Sequence, residues 1–231
     1  MNITIKRFDK HKEPQSIEMS YPIFEGLTLL ENFLKIKTTI DPTLSFSGVC
    51  RSGVCGSCAV MVNGKAKLAC SYKPNDGDMI EPLNYHEVQR DLIVDKTKSH
   101  KTLSTANAQL HGEARLENSP KVIVQSDCIL CDSCYSACPV MAVNSDFLGP
   151  FTLTKVYRYT LQSNENKTSI DAIQTNGVWD CTLCGECTLV CPQGIDPKMD
   201  IMNLRSISVQ SGYSDPNFAN MDFGFGGFDF N

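Results

Sequence analysis

The chain has 231 residues, 21 Lys and Arg against 26 Asp and Glu, a formal charge of −5 and 42% hydrophobic residues; this length favours two ordinary domains and the composition excludes disorder throughout. The acidic balance supplies no basic field to gather phosphates, so nucleic acid is not expected as a partner. No run approaches the roughly 18 uncharged apolar residues that span a bilayer, and residues 1–7 lack the apolar core of a signal peptide, so the chain is expected to be soluble and to reach a membrane only through partners.

Ile3, Ile5 and Phe8 suggest a first strand and residues 17–21 a second. Thr28 and Glu31 then form a capping-box pair, and Leu29, Leu30, Phe33 and Leu34 recur at helical spacing to give one apolar face. After a cysteine-rich loop, Ala59–Val62 and residues 65–69 flank Asn63-Gly64, a strong hairpin signal, which puts Cys70 at the end of the return strand. Met79-Ile80 follow the Asp76-Gly77 turn as a closing strand. Two strands, a helix and a hairpin are consistent with a β-grasp ferredoxin-type domain over residues 1–95.

Residues 96–118 are polar and carry Lys96, Lys98, His100, Lys101 and His111, which reads as a connector or a solvated helix. The second half uses a helical vocabulary: Gly149-Pro150 precedes Leu153, Val156 and Leu161, and Pro197 precedes Met199, Ile201, Met202 and Leu204. Residues 119–206 are expected to form an all-helical domain, making the chain α+β. After Arg205 no Lys or Arg occurs and the end is low in complexity; residues 207–231 are expected to be a disordered tail, with docking of its phenylalanines on a partner as the alternative.

The 12 cysteines fall into three tight groups: Cys50, Cys55, Cys58 and Cys70; Cys128, Cys131, Cys134 and Cys138; Cys181, Cys184, Cys187 and Cys191. A disulfide framework has no reason to place both Cys138 and Cys191 directly before proline. Zinc sites join two Cys-x2-Cys pairs across a longer loop, whereas Cys128-x2-Cys131-x2-Cys134-x3-Cys138-Pro139 is the run by which bacterial-type ferredoxins hold a cubane, the fourth cysteine serving the other cluster. The same run recurs from Cys181 to Pro192. The opening spacing of the first group, Cys50-x4-Cys55-x2-Cys58, matches the plant-type [2Fe–2S] pattern. Gly48, Gly53 and Gly56 suit such a loop, where glycine's tolerance of positive φ lets backbone N–H groups approach sulfur. No histidine replaces a cysteine, which argues against a Rieske centre.

This combination resembles the iron–sulfur subunit of the succinate dehydrogenase and fumarate reductase family. The resemblance covers nearly the whole chain apart from the tail, through residues 47–59, the short spacing to Cys70, Arg90-Asp91-Leu92-Ile93-Val94-Asp95, Cys128-Ile129-Leu130-Cys131 and Val190-Cys191-Pro192-Gln193-Gly194-Ile195. It implies one [2Fe–2S] cluster on the first group and a [4Fe–4S] cluster on Cys128, Cys131, Cys134 and Cys191. A third cluster falls to Cys138, Cys181 and Cys187. It also implies an electron relay between an FAD-containing flavoprotein subunit and a quinone-linked membrane subunit, the alternative being a relay of the same architecture for a different flavoprotein, such as a hydroxyacid dehydrogenase.

Two departures concern the third cluster. The common pattern has no cysteine at the position of Cys184; four thiolates can hold a fourth iron, so [4Fe–4S] is expected, with [3Fe–4S] beside an unligated buried Cys184 as the alternative. Quinone-reducing relatives carry tryptophan after the Cys-Pro, where this chain has Val140-Met141-Ala142-Val143-Asn144. Both point to the branch whose electron acceptor is a separate Cys-Cys-Gly-rich subunit. No spacing of His11, His86, His100 or His111 suggests acid–base or nucleophilic chemistry, so no substrate site is expected and each reads as a surface residue. Trp179 reads as a cluster shield or as core packing. Twelve reduced thiols favour the cytoplasmic side, with the complex peripheral on the inner membrane or, if co-exported with a partner, on its periplasmic side.

Overall fold

The computed structural model describes residues 1–216. β1 (Asn2–Phe8) alternates, burying Ile3, Ile5 and Arg7, and pairs antiparallel with β2 (Ser16–Pro22), Ile3 opposite Tyr21. α1 (Leu29–Thr39) begins at a reciprocal capping box: the Glu31 N–H donates to Thr28 Oγ1 at 3.3 Å and the Thr28 N–H to Glu31 Oε2 at 2.7 Å. Its face of Leu29, Leu30, Phe33 and Ile36 enters a core shared with β1 and with β3 (Ala59–Val62), β4 (Lys65–Leu68) and β5 (Met79–Glu81). The strand order is β2-β1-β5-β3-β4, with β1 parallel to β5 and the other pairs antiparallel. A helix laid on such a mixed sheet is the β-grasp arrangement.

A small hairpin, β6 (Glu87–Arg90) and β7 (Ile93–Asp95), follows; its polar composition hides it from alternation. Asp91, at its turn, is buried, accepts from the Phe8 and Ser45 N–H groups at 3.1 and 2.8 Å and pairs with Arg7 Nε at 2.9 Å. The polar stretch after it is helical, α2 (Thr97–Thr105).

A 3₁₀ turn (Leu116–Val122) leads into the helical half: α3 (Ile123–Ser126), α4 (Ser133–Ser136), α5 (Val140–Val143), α6 (Pro150–Gln162), α7 (Lys167–Ala172), α8 (Glu186–Leu189) and α9 (Pro197–Gln210). Proline opens α6 and α9, and the Asp196 carboxylate caps α9 by accepting from the Met199 N–H at 3.1 Å. α6 and α9 enclose a second core around Phe151, Leu153, Val156, Ile201 and Leu204. Trp179 packs into it, its Nε1–H donating to Gln174 Oε1 at 2.8 Å.

α9 runs through Gln210 because Ser208 is buried and bonded to Gln174 Nε2 at 3.0 Å, so residues 207–210 are helix rather than the start of the expected tail. Residues 217–231, and with them the expected disorder or docking of the phenylalanines, lie outside the described residues. Among the described residues no helix is long and apolar enough to cross a membrane.

Candidate metal centres

The loop after α1 carries the first cysteine group. The Ser52 and Cys55 N–H groups donate to Cys50 Sγ at 3.4 and 3.3 Å, and the Gly53 N–H to Cys70 Sγ at 3.3 Å. Such N–H···S bonds stabilise thiolate over thiol. Hydrogen bonding by Ser57 pulls the Cys55 thiol down to about 6, whereas burial pushes Cys58 up to about 11. Gly53 and Gly56 have φ of +72° and +66°, but Gly48 is not in that region; its bare Cα serves packing, since a Cβ there would lie 2.6 Å from Leu30 Cδ1.

The two Cys-x2-Cys-x2-Cys segments share a backbone conformation. Leu130 and Asp132 flank Cys131 with φ of 51° and 66°, and Leu183 and Gly185 flank Cys184 with φ of 55° and 87°. Each segment runs into a one-turn helix, α4 or α8. Cys191 of the second run nevertheless lines one small pocket with Cys128, Cys131 and Cys134 of the first. Burial pushes Cys128, Cys131 and Cys134 up, with added repulsion from Cys191 on Cys128 and Cys131 and from Cys187 on Cys134. Burial likewise pushes Cys138 up to about 11 and Cys187 to about 12, with Cys181 and Cys184 adding repulsion to both. Cys184 is exposed, not buried, yet it acts on Cys138 and Cys187 as one of their group.

Buried thiols that repel one another ionise only beside compensating positive charge, which iron supplies. The donor set, twelve cysteines in three groups of four with no histidine among them, fits iron–sulfur clusters.

Cations support the ring loops. Lys96 Nζ donates to the Cys131 carbonyl at 2.9 Å, Lys155 Nζ to the Cys128 carbonyl at 3.4 Å, and Arg205 to the Cys181 carbonyl at 2.6 Å. Arg205 also bonds the Val178 carbonyl at 2.8 Å, fastening α9 to the entry of the second run.

The first loop and the first run touch. A Cβ on Gly56 would stand 2.7 Å from Cys131 Cβ and 2.8 Å from its Cα. Gln193 Nε2 donates to the Gly53 carbonyl at 3.1 Å across the same seam. Cys131 accordingly belongs to the hydrophobic core of the β-grasp half.

Two histidines depart from the surface reading. His86 has a side chain only 1% exposed, stacked on Tyr135 and 3.4 Å from Asp132 Oδ2. His100 Nε2 bonds Asp132 Oδ1 at 3.0 Å. Both are drawn in by a carboxylate inside the first run, a partner more than 30 residues away that no local pattern reveals. Burial pushes His86 down against the pull of Asp132, whereas the bond to Asp132 pushes His100 up.

The family model described as a 2Fe-2S iron-sulfur cluster binding domain matches residues 2–101, and that of a 4Fe-4S dicluster domain matches residues 124–195. The chain is 36% identical over 235 residues to the 8-methylmenaquinol:fumarate reductase iron-sulfur subunit of Wolinella succinogenes, covering 92% of this chain and 74% of that one. It is 33% identical to the fumarate reductase iron-sulfur subunit of Haemophilus influenzae, covering 87% and 90%. It is also 34% identical to the fumarate reductase iron-sulfur subunit of Mycobacterium tuberculosis, covering 89% and 90%. A chain of the solved Mycobacterium smegmatis Sdh1 complex in the apo form shares the fold, with a TM-score of 0.78 at 19% identity over 92% of this chain and 97% of that one.

Proposed function

The chain belongs to the family of fumarate reductase and succinate dehydrogenase iron–sulfur subunits, an electron-transfer role, and from that premise we propose which residues carry the electrons and between which partners. Cys50, Cys55, Cys58 and Cys70 would hold a [2Fe–2S] cluster. Cys128, Cys131, Cys134 and Cys191 would hold a [4Fe–4S] cluster, and Cys138, Cys181, Cys184 and Cys187 a second one. The observation that carries this reading is that Cys191 of the second run lines one small pocket with Cys128, Cys131 and Cys134 of the first, the two runs having matching backbone. When bound, these clusters supply one-electron centres, so that a two-electron succinate/fumarate conversion at a flavin divides into single-electron steps.

The chain's own residues hold and tune. The N–H groups of Ser52, Gly53 and Cys55 stabilise the first group's thiolates, while Lys96, Lys155 and Arg205 place positive charge on ligand-bearing segments. The Gly56–Cys131 contact keeps the first and second centres close.

The partners are an FAD-containing flavoprotein subunit and an electron-accepting subunit, membrane-associated or Cys-Cys-Gly-rich. Val49 and Val54, 77% and 66% exposed beside Cys50 and Cys55, support docking of the flavoprotein on the first loop. Val143, five residues after Cys138, and Leu189, between Cys187 and Cys191 in the chain, are 87% and 78% exposed and support a second docking surface. The names of the relatives support fumarate as the complex's substrate, succinate being its two-electron reduced form. The complex sits on the cytoplasmic face of the inner membrane, where reduced thiols persist; recovery mainly from the periplasmic fraction would refute that placement.

Anaerobic purification through the native chain tests the whole reading. A flavoprotein with succinate/fumarate turnover is expected to co-purify, and one acting on another substrate would overturn the assignment. Low-temperature spin resonance should find no oxidised-state three-iron signal in the wild type and should find one in Cys184→Ser. A three-iron signal in intact wild-type complex would refute the four-thiolate site.

A further inference from the structure

Of the two left-handed positions that the cubane-type runs share, one holds leucine in both, Leu130 and Leu183, and the other differs. Gly185 occupies the left-handed site after Cys184, where glycine carries no penalty; after Cys131 the same conformation is taken by Asp132. Its side chain is fully buried, which is costly for a carboxylate without partners. Ser99 Oγ donates to Oδ2 at 2.6 Å, His100 Nε2 bonds Oδ1 at 3.0 Å, and His86 Nε2 stands 3.4 Å from Oδ2. Every partner comes from outside the helical half, from α2 or the segment before β6. Two cations lie on the same loop, Lys96 on the Cys131 carbonyl and Lys155 on the Cys128 carbonyl. The second run has glycine in place of this carboxylate, with the Arg205 guanidinium on its Cys181 carbonyl.

The geometry points to Asp132 as a positioning and tuning residue: a fixed, buried negative charge that lowers the reduction potential of the cluster held by Cys128, Cys131, Cys134 and Cys191. The inference rests on that ligand assignment. An electron arriving at the ring adds negative charge beside a carboxylate in a poorly screened interior, so the carboxylate disfavours the reduced state; no atom moves and no proton is required. Hydrogen bonds from Ser99 and His100 spread the carboxylate charge and moderate the effect.

The test is a spin-resonance redox titration of the purified complex, with iron and sulfide content measured on each sample. Asp132→Asn, which keeps the shape, and Asp132→Gly, which suits the backbone, should both shift the midpoint of this one cluster upward. The [2Fe–2S] midpoint should stay in place. Ser99→Ala, which removes a donor from the carboxylate, should shift the same midpoint downward. Opposite signs identify charge as the cause, since loosened packing has no reason to produce them. Midpoints unchanged in assembled variants overturn the proposal, as does loss of the four-iron cluster from all three, which would leave Asp132 a purely structural role. A wild-type protein lacking this four-iron signal would instead refute the ligand assignment.

Discussion

Gly56→Ala should weaken the joint between the two cluster-bearing halves. At φ +66° a Cβ costs about 1–2 kcal/mol from backbone strain. The new methyl would also stand 2.7 Å from Cys131 Cβ and 3.1 Å from the Ile129 carbonyl, whereas carbon atoms rest about 3.5–4.0 Å apart. Relief requires the loops to part by about 1 Å, and such overpacking costs about 1–3 kcal/mol. Gly53→Ala is the control, because φ is +72° there but nothing lies within 4 Å. It keeps the strain and omits the clash. Thermal unfolding of the anaerobic complex should therefore rank wild type above Gly53→Ala and Gly53→Ala above Gly56→Ala. The gap between the variants should be about 2–4 °C for each kcal/mol of clash in a chain of this size. Dipolar broadening between the first two clusters should fall in Gly56→Ala alone. Equal melting of the two variants with unchanged broadening would refute the close-contact argument.

Asp200, buried between α6 and α9, accepts from Gln125 Nε2 at 2.8 Å and from Thr154 Oγ1 at 2.9 Å, and burial still pushes its carboxyl from 3.8 up to about 6. The folded state thus binds the extra proton more tightly, so the contribution of this group to stability is fullest below about pH 4 and is lost as pH rises to about 6, by about 3 kcal/mol. Asp200→Asn should flatten that decline and raise stability at pH 8; denaturant midpoints at pH 5 and pH 8 check it, and a variant with an unchanged slope would refute it. Arg7 is bonded to Asp41 and to Tyr21 Oη and pairs with Asp91. Opposing burial, the hydrogen bonds to Asp91, Asp41 and Tyr21 and the charge of Asp91 hold its guanidinium further toward the charged form. Arg7→Met strands two carboxylates and should cost about 3–5 kcal/mol in a denaturation series, while a loss under 1 kcal/mol would show that the pair is well screened.

What the sequence determined by itself is what short-range geometry dictates. Thr28 and Glu31 had to cap a helix, Asn63-Gly64 had to turn a hairpin, and Cys-x2-Cys-x2-Cys had to wrap its thiols around one centre, because in each case the interacting atoms are a few bonds apart in the chain. The kind of cofactor followed from those spacings. Tertiary structure decided what links distant segments: His86 and His100 reaching Asp132, Gly56 seated on Cys131, and Gln193 bonded to a carbonyl 140 residues away. A polar residue on the surface and one buried in a network read alike in one dimension. Only the docking of two domains, each with its own core, brings such partners within hydrogen-bond reach, and that docking sets the charge and spacing around the clusters.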